Sequence, residues 1–313
     1  MSEIAPAAKR MARRPLSAGN RRGAMREAAA GYLFILPSLV GFTVFVFLPM
    51  LAIFVLAFMD YGISGQPMFN GLHNFLGIVN DPRTWTVYGN TLLFTIFAVS
   101  GNVLLGLAAA VFLNRKFPQL VRTLFRSAFF FPSLVGLVYV SIIWQYLYQK
   151  DVGVINYYLG LLGIDKIGWL SSSGWVLTSI VVMDVWKNFG MSMLILLAGL
   201  QGVPGSYLEA AKIDGAGALK SFINITLPLL SPILLFVITM NLTGALRVFD
   251  SIVVLTKGGP GDASRSIVML IYEKAFQSYD FGYASALSVT LLLVIGVVTL
   301  FHFWASRRWV HYE

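Results

Sequence analysis

The sequence predicts an all-α membrane protein of six transmembrane helices, and three observations carry that prediction. Of the 313 residues, 57% are hydrophobic and only 12% are charged, whereas a typical soluble domain is about 25% charged. Six apolar stretches occur at about 31–58, 88–113, 123–148, 176–200, 229–256 and 284–305. Each supplies the ~20 residues that cross ~30 Å of hydrocarbon. The alternating segments of ~10 residues that mark a β-barrel do not occur. Backbone groups in lipid must be satisfied internally, so the stretches are read as helices. The composition excludes a soluble globular enzyme, a disordered chain and a collagen-like fibre.

In chain order, residues 1–30 form a basic N-terminal tail. Lys9, Arg10, Arg13, Arg14, Arg21, Arg22 and Arg26 stand against Glu3 and Glu27. The apolar run that follows is far longer than a signal-peptide core, and no small-residue cleavage site follows it. Residues 31–305 hold the six spans, and 306–313 form a short C-terminal tail. Pro37, Pro49, Pro132 and Pro232 fall in or near spans, where bundles tolerate them. The longest connections lie near 59–87 and 257–283.

Charge sets the orientation. With the N-terminus inside, the inner segments hold fifteen Lys and Arg and the outer loops hold six. That asymmetry places both termini in the cytoplasm. The net charge of +9 is thus topological, and nucleic acid is not an expected partner. There is no Cys, which excludes disulfides and thiolate metal sites. His73, His302 and His311 are scattered without metal-ligand spacing, so no metal site is expected.

The inner loop 201–228 is the most informative segment. Ser206 and Glu209 have capping-box spacing, predicting a short helix over Tyr207–Asp214. Gly215 is placed to take a left-handed turn. A second short helix is expected over about Ala218–Ile225, running to Leu227-Pro228. On these features alone, an ordinary connector explains the loop equally well.

The segment resembles the EAA loop of ABC importer membrane subunits. That signature reads E-A-A, three residues, G, nine residues, I, one residue, L-P. Glu209, Ala210, Ala211, Gly215, Ile225, Leu227 and Pro228 keep every spacing. Phe249-Asp250 followed by Leu255-Thr256-Lys257-Gly258-Gly259-Pro260, with Phe281-Gly282-Tyr283-Ala284-Ser285-Ala286 and Asp184-Val185-Trp186-Lys187-Asn188, is similar to the carbohydrate-uptake branch. Within it the likeness is to the larger maltose-transporter membrane subunit. The six-span layout without a large outer loop is closer to the glycerol-phosphate and lactose-type members.

The resemblance implies a type I importer permease fold in a bacterial inner membrane. It implies that the loop is a coupling helix docking on an ATPase subunit. Implied partners are a second homologous six-span subunit, two ATPase subunits and an extracytoplasmic solute-binding protein. The implied solute is sugar-like, moved by alternating access. The chain has no Gly-Lys dipeptide and therefore no P-loop. ATP and Mg are expected on the partner subunits, with no cofactor and no catalytic residue on this chain.

Four ionisable residues lie inside spans. Asp184 and Lys187 are i,i+3 in the fourth, beside Asn188, and Arg247 and Asp250 are i,i+3 in the fifth. At ~1.5 Å of rise per residue they lie about 12, 17, 13 and 9 Å from the outer ends of their spans. Two readings fit: self-neutralising structural pairs, or a polar layer facing a translocation path. Transporters generally hold solute at such depth. The resemblance adds the helix around Pro132-Ser133, so the solute-binding candidates are Ser133, Asp184, Lys187, Asn188, Arg247 and Asp250. Near span ends stand Trp85, Tyr88, Trp144, Tyr146, Tyr148, Trp169, Trp175, Trp304 and Trp309, an interfacial belt in which a ring or two also stacks on sugar.

Rival readings are an importer of another solute, such as an amino acid or a phosphorylated or sulfonated compound, a membrane-embedded enzyme, and an ion-coupled transporter. An enzyme needs a catalytic set that the spans do not offer. An ion-coupled transporter has no use for the 209–228 signature.

Overall fold

A computed structural model describes residues 18–63 and 65–310. Lys9, Arg10, Arg13, Arg14 and His311 lie outside the described residues. The chain divides into two units, Met1–Ala52 and Ile53–Glu313.

In the first unit, helix α1 (Ala18–Phe42) leads through a π-helical turn, Thr43–Phe47, into α2 (Leu48–Leu56), which runs on past the unit boundary. α1 begins inside the segment read as a tail, because Ala-rich sequence such as Ala28-Ala29-Ala30 favours helix. The π turn precedes Leu48-Pro49, with the Leu48 N–H reaching back to the Thr43 carbonyl. Proline crowds the turn before it and brings no donor, and a widened turn accommodates both effects.

The second unit opens with a small hairpin, β1 (Met59–Asp60) and β2 (Met68–Phe69), and helix α3 (His73–Asn80). α4 (Pro82–Leu113) follows, with Asp81 capping its start. It begins six residues before the apolar stretch at 88, since hydropathy marks the hydrocarbon part of a helix and not its cap. α5 (Gln119–Leu134) and α6 (Leu137–Leu147) come next, then α7 (Val154–Leu161) and α8 (Val176–Gln201). α9 (Gly205–Ile213) and α10 (Ala218–Ser221) lead into α11 (Leu227–Ala245) and α12 (Asp250–Leu255). α13 (Ile267–Tyr272) and α14 (Phe281–Ser306) close the chain.

Among the described residues, five segments are long and apolar enough to cross a membrane: Met25–Leu56, Pro82–Leu113, Val176–Gln201, Ala218–Ala245 and Phe281–Ser306. The sixth is not one helix. α5 and α6 meet at 99°, where Val135 and Gly136 are extended, with ψ of 135° at each. Pro132 removes a helical donor just before the break. The fifth span also ends early. α11 stops at Ala245, and Leu246–Phe249 separate it from α12. The freed Val248 carbonyl accepts from Ser266 Oγ at 2.7 Å.

α8 is the central helix. Small residues let its neighbours approach closely, as in membrane bundles generally. A Cβ on Gly190 would lie 2.0 Å from the Phe129 carbonyl oxygen of α5. One on Gly106 of α4 would lie 2.8 Å from Ser192 Cβ. Tyr148, read as a belt residue, is instead buried in the α6–α8 core, and its hydroxyl donates to the Ser179 carbonyl at 2.9 Å.

The loop after α12 is pinned by ions. Arg83 Nε meets Asp262 Oδ2 at 2.8 Å and Arg83 Nη2 meets Glu273 Oε2 at 3.4 Å. Arg265 pairs with both acids. Asn90 Nδ2 donates to the Asp262 carbonyl at 2.7 Å. The hydrogen bond from Arg83, assisted by Arg265, holds the Asp262 carboxyl below its ordinary 3.8. A depressed carboxyl stabilises the fold at all pH above its unfolded value, and the contribution fades as pH falls through the folded one. Asp262→Asn should therefore lower the unfolding midpoint of the purified subunit by a constant amount at pH 5–8, with the gap closing below the ordinary aspartate range. A thermal melt across pH checks this; a gap that persists unchanged at pH 3 contradicts it.

Candidate functional site

α4, α6, α8, α11 and α12 enclose a cleft of about 350 Å³. Of the sequence-derived candidates, the fold brings Asp184, Asn188, Arg247 and Asp250 to its wall. Lys187 and Ser133 do not line it. Asn102 of α4, Ser192 of α8, Asn241 of α11 and Ser251 of α12 do, and the sequence reading passed over them. Their signal was present, since an amide inside an apolar span also needs a partner, but it is weaker than that of a charge in lipid.

Of the two readings of these residues, the self-neutralising i,i+3 pairs do not form among the described residues. Asp184 Oδ2 accepts from Asn102 Nδ2 at 3.2 Å and Oδ1 from Asn188 Nδ2 at 3.0 Å. Lys187, only 8% exposed, donates from Nζ to the Ser133 carbonyl at 3.3 Å. That carbonyl belongs to the last turn of α5, where carbonyls lack helical partners and a cation is favoured. Lys187 and Ser133 thus meet at the α5–α6 bend instead of in the cleft.

Arg247 and Asp250 do not share a helix. Arg247 sits in the break after α11, so the rise-per-residue depth does not apply to it. It is exposed, and its Nε donates to the Thr243 carbonyl at 2.9 Å. Asp250 is exposed in the first turn of α12. Discontinuous helices of this kind free backbone and side chains to face a cavity. Asn241 Nδ2 completes the wall, donating to Ser192 Oγ at 3.1 Å. Carboxylates that accept, a guanidinium that donates and amides that do both make this a surface for reversible hydrogen bonding.

The 201–228 loop differs in detail from its sequence reading. Pro204 is the N-cap and α9 starts at Gly205. Ser206 therefore lies inside the first turn and caps nothing. α9 ends in a Schellman motif: the Ala216 N–H bonds the Ala211 carbonyl at 2.9 Å and the Gly215 N–H bonds the Lys212 carbonyl at 3.1 Å. Gly215 has φ +76°. α10 is not a separate short helix. It continues through a π turn, Phe222–Thr226, directly into α11. That turn holds Ile225 and precedes Leu227-Pro228, repeating the Leu48-Pro49 arrangement. Lys212, Ile213 and Asp214 are exposed around the elbow.

The broken helices, the polar cleft and the elbowed loop define a membrane permease subunit. Residues 102–311 match the model of the family described as binding-protein-dependent transport system inner membrane component, and the chain belongs to that family. It is similar to the probable ABC transporter permease protein YesP of Bacillus subtilis, at 37% identity over 93% of this chain and 95% of that one. It is similar also to the trehalose/maltose transport system permease protein MalF of Thermococcus litoralis, at 37% over 88% and 93%. Its fold matches a chain of a bacterial ABC transporter involved in the import of the acidic polysaccharide alginate. There the TM-score is 0.82, at 22% identity over 92% of this chain and 98% of that one. The protein is an inner-membrane permease subunit of an ABC importer.

Proposed function

We propose that this subunit carries a sugar or sugar derivative across the cytoplasmic membrane by alternating access. The observation that carries this reading is the cleft in which Asp184, Asn188, Asn241, Arg247 and Asp250 gather at a helix break. Sugar hydroxyls both donate and accept, and these groups answer both needs. The trehalose/maltose name of one relative supports the same class.

The subunit works beside a second homologous six-span subunit, with a solute-binding protein outside. Two ATPase subunits dock beneath the pair of permease subunits, one of them on the α9–α10 elbow of this chain through the Glu209-Ala210-Ala211 to Pro228 segment, and they bind the ATP and Mg. Both termini are cytoplasmic, which the excess of Lys and Arg on that side supports.

Two measurements test this. The importer, assembled with its partner chains in vesicles, should take up labelled trehalose or maltose only with external binding protein and internal ATP. Uptake of amino acids in place of sugars overturns the solute class. For orientation, single Cys residues are informative because the native chain has none. Ile213 is 86% exposed and Val152 is 78% exposed. An impermeant maleimide on intact cells should label Val152→Cys and spare Ile213→Cys; the reverse pattern overturns the topology.

A further inference from the structure

Two polar atoms beside the cleft have no hydrogen-bond partner among the described residues, Asn102 Oδ1 and Ser251 Oγ. Asn102 is 3% exposed and Ser251 fully buried, and both residues line the cleft. A buried polar atom left unpaired carries its full desolvation cost, so each one in a native fold calls for an explanation.

The explanation begins at Asp184. A carboxylate has acceptors only. Each neighbouring amide can satisfy it in one way, by presenting its NH2 group. Asn102 and Asn188 do so, one on each carboxylate oxygen. Their carbonyl oxygens are thereby turned away from Asp184, and an amide whose NH2 is committed offers the cleft an acceptor.

We propose that Asp184 is a positioning residue which fixes the hydrogen-bonding sense of this wall, and that Asn102 is a specificity-determining residue that accepts from a solute hydroxyl. Asn188, turned the same way, supplies a second acceptor. The ligand chemistry is a polyol with a free hydroxyl at the matching position. The same position carrying a group that cannot donate is rejected. This inference rests on the sugar reading above and deepens it.

The test uses the purified importer complex without its binding protein, so that only the membrane subunits discriminate. Saturation-transfer NMR gives affinities for trehalose and maltose and for their monodeoxyfluoro analogues, in which fluorine replaces one donor at a time. The native complex should lose about tenfold or more in affinity at one position, the scale of one hydrogen bond made to a buried group. Asn102→Ala should bind the parent sugar more weakly and bring the hydroxyl-to-fluoro ratio at that position near one. Asp184→Asn keeps the shape but can donate as well as accept, which frees both amides to turn; its ratio should also fall, with complex yield retained. A purely structural role moves yield and leaves the ratio alone. If Asn102→Ala fails to assemble, Asp184→Asn alone decides. Binding and uptake of the sugars with an unchanged ratio in the variants overturns this inference and leaves the sugar reading standing. A native complex that binds neither sugar, while its vesicles import an amino acid, overturns both.

Discussion

Gly215→Val should leave the subunit inserted in the membrane and abolish its productive contact with the ATPase. Gly215 is the left-handed residue of the Schellman motif that ends α9, with φ +76°. Among the described residues other than its two chain neighbours, no atom lies within 4 Å of a Cβ built there. The effect of a side chain is therefore conformational and not a clash. A left-handed L-residue costs about 1–2 kcal/mol, and β-branched residues resist that region most strongly. Asparagine tolerates it. The expected order is Gly, then Asn close behind, then Ala, with Val far below.

Under the proposed docking of an ATPase on this loop, the loss falls on coupling because of where the elbow sits. Turning the chain at Gly215 sets the angle between α9, which carries Glu209, Ala210 and Ala211, and the continuous helix from Ala218 through Ile225 and Pro228 into the span. A force delivered to α9 reaches the membrane through that helix. Co-purification of the ATPase and its stimulation by loaded binding protein should fall by more than about tenfold in the Val variant, if the altered turn costs ~1.4 kcal/mol or more of docking energy. Normal stimulation in Gly215→Val would remove the coupling role from this loop.

The spans, their helical nature and the elbow glycine were legible in the sequence because each has a strong local cause. Hydropathy over ~20 residues reports burial in lipid, and a left-handed turn selects Gly. The breaks were not legible. Pro132 precedes the 99° bend, yet Pro37 and Pro232 lie inside helices that continue. Proline marks a place where a helix can break; packing decides whether it does. At the α5–α6 bend, a lysine from α8 stabilises the freed Ser133 carbonyl. At the α11–α12 break there is no proline, and the freed Val248 carbonyl is met by Ser266, the N-cap of α13.

The side-chain pairings failed for a related reason. Spacing of i,i+3 tells which residues share a helix face, and it is silent on what other helices bring to that face. Asn102 lies 82 positions from Asp184 and still outcompetes Lys187, three positions away. The ion cluster of Arg83, Asp262, Arg265 and Glu273 is likewise assembled from distant segments. Counted along the sequence, its arginines were only outer-loop charges.

Lys187 gives the sharpest division between a residue that builds the site and one that serves it. Its ammonium lies on the Ser133 carbonyl, outside the cleft, and holds the last turn of α5 at the bend. Removing it leaves the part-buried Ser133 carbonyl without this donor, at a cost of up to about 1–3 kcal/mol, and withdraws a positive charge from the neighbourhood of Asp184. Lys187→Met, which keeps the apolar stem, should cut the yield of assembled complex several-fold while each surviving complex transports at close to the native rate. Arg247→Ala should do the opposite. Arg247 is exposed in the cleft wall and its only side-chain bond among the described residues is to the Thr243 carbonyl one turn back, so assembly should be untouched. A solute that relies on its donors loses one or more charge-assisted hydrogen bonds, worth roughly 1.5–3 kcal/mol each, and uptake per complex should fall at least about tenfold. The two variants are measured side by side, as complex yield by gel filtration and as uptake normalised to that yield. If Lys187→Met assembles normally but does not transport, the lysine serves the solute directly and the bend is held by other contacts. If Arg247→Ala transports normally, the cleft wall at the α11–α12 break is not where the solute passes.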